Sequence, residues 1–169
     1  MSLAAPELLR WGLAGLFTAG LLAAALSDHL SRRIPNWVVI GLVALYVAAL
    51  AAGVAPTTAL SGLGAAAITL AVTYPLFHFN VFGAGDAKLF TAAALYAGLP
   101  RLGTFALITV LVGGAIALGI IIFRPGRAIR AMTTRRRDPN EKSGIPYGVA
   151  IALGALATAW MTPGFYPLA

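Results

Sequence analysis

Cysteine is absent from this 169-residue chain, and carboxylates are few: 5 Asp and Glu stand against 12 Lys and Arg. The first absence removes disulfides, thiolate nucleophiles and Cys-ligated zinc from the possible chemistry. Charge of either sign is sparse, at 10% of residues, where a soluble domain carries about 25%. Together with 60% hydrophobic residues and a mean hydropathy of +0.88, this argues against a water-soluble globular fold. Several binding and catalytic signatures are missing as well. HExxH is absent, and His29 and His78 stand in no zinc spacing, so neither a metal nor a cofactor is expected. Ser27, Ser31, Ser61 and Ser143 lack a Gly-x-Ser-x-Gly setting, which argues against a serine nucleophile. Gly83-Ala84-Gly85-Asp86 lacks the spacing and the closing Gly-Lys-Ser or Gly-Lys-Thr of a phosphate loop. The net charge of +7 does not point to nucleic acid, because no aromatic residues interleave with the basic ones to stack on bases.

What is present is a series of long apolar runs. A spanning helix needs about 20 predominantly apolar residues, and the pattern predicts an all-α, polytopic membrane protein of about six spans, near 8–26, 37–54, 59–77, 87–99, 102–123 and 145–162. The break near 53–58 rests on Gly53, Pro56, Thr57 and Thr58. The fourth span is short and reads as tilted, re-entrant or begun by the turn before it. Residues 1–169 are expected to form one domain, without a separate soluble or zinc-binding unit. The first span reads as a retained helix and not a cleaved signal, because Glu7 precedes Arg10 and a long apolar run follows. Six spans place Arg32, Arg33, Lys88, Arg124, Arg127, Arg130, Arg135, Arg136, Arg137 and Lys142 on one side, and Arg10 and Arg101 on the other. Positive charge marks the cytoplasmic side, so both termini are expected outside the cytoplasm. The basic stretch from Arg124 to Lys142 is suited to anionic lipid headgroups as well as to setting topology.

Two of the rare carboxylates lie in polar breaks between spans: Asp28 in SDHLSRRIPN and Asp86 in FGAGDAKL. An ionisable group at the membrane is costly and calls for a functional reading. Both fall on the expected cytoplasmic side, with a helical hairpin between them. Two adjacent carboxylates disfavour double ionisation and share a proton, the requirement for aspartyl proteolysis. Structural roles stand beside this one. Asp28 is a good helix cap, and Lys88 either supports the site or extends its ammonium to the interface. Gly83 and Gly85 permit a turn around Asp86. Pro35 and Asn36 set the start of the second span, with Asn36 able to cap it. Pro146 and Tyr147 occupy the equivalent place before the last span, where Tyr147 also suits an interfacial anchor.

These residues, in this order, resemble the type IV prepilin peptidases, membrane aspartyl proteases of the GxGD type. The matching elements are Asp28 before Ile34-Pro35-Asn36, then Gly83-Ala84-Gly85-Asp86-Ala87-Lys88-Leu89, then Ile145-Pro146-Tyr147-Gly148. The likeness is to the tight-adherence, or Flp pilus, branch. It implies an endopeptidase of the bacterial inner membrane that removes the short basic leader from type IV/Flp prepilin and pseudopilin precursors at the cytoplasmic face. It makes Asp28 and Asp86 the catalytic pair, with Gly83 and Gly85 shaping the second aspartate's turn. Lys88, Pro35, Asn36, Pro146 and Tyr147 become supporting residues. Pilus-assembly proteins are possible further partners. Larger relatives carry paired zinc-binding cysteines and many methylate the new pilin N-terminus; a chain without cysteine and with a short first polar loop fits a peptidase-only form. Two alternatives remain at this level: a non-catalytic scaffold for pilus assembly, and a small proton-coupled transporter.

Overall fold

The computed structural model describes residues 5–79, 81–123, 147–163 and 165–166. Every regular element among them is helical: α1 (Ala5–Ser31), α2 (Asn36–Ala51), α3 (Ala59–His78), α4 (Ala84–Phe123) and α5 (Tyr147–Trp160). The basic residues from Arg124 to Lys142, and Ile145 and Pro146, lie outside the described residues. α1, α3 and α4 are each long and apolar enough to cross a membrane, and α2 and α5 are shorter apolar helices. Outward faces carry large apolar side chains such as Leu16, Ile40, Leu60, Val110 and Trp160. Such a surface would aggregate in water and is at home in lipid. The protein is therefore an all-α polytopic membrane protein.

α1 opens with Pro6 and Glu7 in its first turn, where a missing N–H and a negative charge both suit a helix start. Its 27 residues extend about 40 Å, longer than a hydrocarbon core of about 30 Å. Leu13, Ala14, Phe17, Leu21, Ala24 and Asp28 form its buried stripe, so Asp28 continues the face that packs on the bundle. α2 buries Val38, Leu42, Tyr46 and Ala49 at the same helical spacing. It begins differently from expectation. Pro35 occupies the cap position in extended conformation, no side chain caps the helix, and Asn36 is its first residue. The α2–α3 connection turns at Gly53, whose φ of 69° is left-handed, and Thr58 caps α3 by accepting from the Ser61 N–H at 3.3 Å.

The fourth and fifth apolar runs are two helices joined at Gly98 (φ 63°, ψ 176°), two residues before Pro100, and the Phe90 and Phe105 rings, stacked 4.5 Å apart, show that the second runs back along the first. A break between helices frees backbone groups that need partners elsewhere. Thr57 Oγ1 donates to the Leu95 carbonyl at 2.8 Å, and the Leu99 N–H donates to Ser61 Oγ at 3.0 Å. The α2–α3 connection and the first turn of α3 thus satisfy the groups that the turn exposes. α4 packs against α2, α3 and α5, while α1 packs against α2 and α5. Residues 92–98 of α4 are all buried and mostly alanine, and small residues let helix backbones approach closely without water to drive them together. Phe17, Tyr46, Tyr96 and Phe165 form the aromatic centre, with Phe17 and Tyr96 rings 4.3 Å apart.

Candidate active site

The end of α1 presents Asp28, which is only 6% exposed. The Gly148 N–H, in the first turn of α5, donates to Asp28 Oδ2 at 2.8 Å. A free amide at a helix start is a natural donor to a carboxylate. The approach depends on glycine: a Cβ at position 148 would lie 2.8 Å from Asp28 Cβ and 2.9 Å from Oδ2. After Asp28 the helix stops in a tight turn. The Arg32 N–H donates to the Asp28 carbonyl at 2.9 Å, and Ser27 Oγ donates to the Arg33 carbonyl at 2.8 Å. Arg32 takes the left-handed conformation at φ 54°.

Asp86 is half-buried in the first turn of α4. The Ala87 N–H donates to the Gly83 carbonyl at 3.0 Å, so Gly83 begins the helical hydrogen bonding. The Asp86 carboxylate folds back over that residue, and a Cβ on Gly83 would stand 2.6 Å from Oδ2. Gly85 serves a different contact, since its own Cβ would meet Ile34 Cβ at 3.2 Å. The glycine pair therefore lets Asp86 curl over the helix start and lets the α1–α2 break lie against the same turn.

Two further contacts close the arrangement. Lys88 Nζ donates to Asn36 Oδ1 at 3.2 Å, joining the starts of α4 and α2. Asn36 thus holds a lysine and does not cap its own helix, a correction to the sequence reading. The helix had a proline in the cap position already, which left the amide side chain available. The Tyr147 ring, at the start of α5, lies 5.8 Å from Phe82 and packs against Gly113, which places it half-buried between the α3–α4 connection and α4. Pro146 lies outside the described residues.

The three sequence elements singled out by pattern therefore meet at one end of the bundle. Asp28 touches the start of α5, Ile34 and Asn36 touch the start of α4, and Phe82 touches Tyr147. Two site residues were not singled out. Gly148 was visible only as the last letter of Ile145-Pro146-Tyr147-Gly148, and nothing local marks which aspartate its amide serves. Ile34 was quoted for its place before Pro35, while its contact with Gly85 is tertiary. His29 and His78 are both exposed, and among the described residues no three His, Cys, Asp or Glu side chains converge as a metal site would need.

Residues 15–118 match the model of the type IV leader peptidase family. The matched region contains Asp28, Pro35, Asn36, Gly83, Gly85, Asp86 and Lys88 and ends before Tyr147 and Gly148. Comparison with curated proteins and with solved structures returned no match.

Proposed function

The chain belongs to the type IV leader peptidase family, and on that premise we propose that Asp28 and Asp86 are its catalytic dyad. Members of the family are aspartic-type peptidases that cleave prepilins, so the chain is a prepilin leader peptidase with prepilin-type substrates. The observation that carries the assignment of residues is the meeting of the α1 end, the α4 start and the α5 start around these two carboxylates.

The chemistry follows from a shared proton. One carboxylate is ionised and takes a proton from water; the other is protonated and donates to the scissile carbonyl oxygen. Water adds to that carbon, giving a tetrahedral intermediate without a covalent bond to the enzyme. Protonation of the leaving nitrogen then breaks the C–N bond. The pair titrates as a unit. In this reading the Gly148 amide fixes the orientation of the Asp28 carboxylate, and the Gly83–Asp86 turn fixes that of the second. Lys88, Asn36, Pro35, Pro146 and Tyr147 hold the surrounding backbone.

The finer reading is an Flp-type prepilin peptidase, one domain over 1–169, in the bacterial inner membrane with its site at the cytoplasmic face and both termini opposite. Its supports are the one-sided Lys and Arg distribution, the absence of cysteine and the short Asp28-to-Asn36 break. The basic stretch 124–142 would rest on anionic headgroups.

The test is processing of co-expressed prepilin. Asp28→Asn and Asp86→Asn should each lower the cleavage rate by about 10²- to 10⁴-fold while the protein still inserts in the membrane. Mass analysis of the product maps the cut. Cleavage at the wild-type rate by both variants would remove the dyad from consideration.

A further inference from the structure

Arg32 carries two independent oddities. The first is its backbone. It closes α1 in the left-handed conformation, φ 54°, a place where glycine is the usual residue and where a Cβ is disfavoured. The same chain uses Gly53 at φ 69° for the equivalent turn after α2. A strained non-glycine residue beside an active site is a reason to ask what its side chain does. The second is the side chain. Nε and Nη1 of the guanidinium are buried and donate to no partner among the described residues. A buried donor left unpaired is costly, and more so when it carries charge.

The position is informative. Arg32 is one turn beyond Asp28 and two residues before Ile34, which packs on Gly85 beside Asp86. Arg32 thus belongs to the short break that joins Asp28 to the contact beside Asp86. Arg33, next in sequence, is exposed and suited to lipid headgroups, whereas the Arg32 donors are withdrawn from the surface.

Resting on the dyad reading above, we infer that Arg32 is a substrate-binding residue whose guanidinium hydrogen-bonds backbone carbonyl oxygens of the prepilin segment beside the scissile bond. A segment extended for cleavage has carbonyls unpaired by secondary structure. They offer neutral oxygen acceptors to the two guanidinium donors, Nε and Nη1, that have none. Bonds made equally before and during reaction act on KM more than on kcat.

The experiment uses purified full-length protein in lipid nanodiscs and a synthetic prepilin. Arg32→Gly retains the backbone conformation and removes the donors. It should lower kcat/KM by about 10- to 100-fold, mostly through KM, with a melting temperature no lower than wild type. Added methylguanidinium should restore part of the loss. Arg32→Asn, which also tolerates the left-handed conformation, should show the same loss and serves if the glycine variant does not fold. Wild-type kinetics for these variants would overturn the inference and leave Arg32 as a turn residue. A defect seen only in phosphatidylglycerol nanodiscs, and gone in phosphatidylcholine, would overturn it in favour of a headgroup partner. Failure of the wild-type protein to cleave prepilin would instead sink the dyad reading on which the inference stands.

Discussion

At the residue scale the site depends on the absence of side chains as much as on their presence. Gly148 can donate its amide to Asp28 because it has no Cβ, which would stand 2.8 Å from the aspartate's own Cβ. Gly148→Ala should therefore displace Asp28, cost about 1–3 kcal/mol of stability and lower prepilin cleavage at least about tenfold. Gly12→Ala, at a helical position with nothing within 4 Å, should leave both unchanged; thermal melting in detergent and a cleavage assay check the pair. The two aspartates were legible in the sequence because charge is expensive in a chain so apolar. Gly148 was not, since its importance rests on a contact across 120 residues of sequence. Arg32 was read only as positive charge for topology. Neither its φ nor the two unpaired donors of its guanidinium leave a trace in residue type. Asn36 was read for the local role its type favours, and a lysine on another helix claimed it instead.

Helix boundaries were legible where composition changes sharply, as at the start of α3 after Thr58, whereas α4 starts at Ala84, about one turn before the expected 87, because the two glycines are taken into its first turn. The break between the fourth and fifth runs was expected near Pro100 and Arg101, and the bend occurs at Gly98. Proline is tolerated in the first turn of the continuing helix, while the backbone angles that make the bend are open to glycine alone. Gly98→Ala should cost about 1–3 kcal/mol from backbone conformation and more from its Cβ, which would stand 2.7 Å from Ser61 Oγ and Thr57 Cγ2. Thr57→Val should cost about 1–3 kcal/mol by leaving the Leu95 carbonyl without a donor. Thermal unfolding of the purified variants in detergent measures both, and Gly103→Ala, with nothing within 4 Å, is the control.

For the whole molecule, the fold class was legible in hydropathy alone, whereas the order of packing was not. Nothing in the sequence says that α4 is the element against which α2, α3 and α5 assemble. With both termini opposite the cytoplasm, as proposed, alkaline phosphatase fused at either end should be active, and the same reporter placed after Arg137 inactive. Reversed activities would invert the proposed topology. The bend at Gly98 has a consequence for the chemistry at the opposite end of the same helix. Twelve residues of α4 separate it from Asp86, a rigid arm of about 18 Å. A change of about ten degrees at the pivot swings the carboxylate through about 3 Å, the length of one hydrogen bond. Thr57 and Ser61, whose hydroxyls hold that pivot, would on the dyad reading set the aim of the second aspartate.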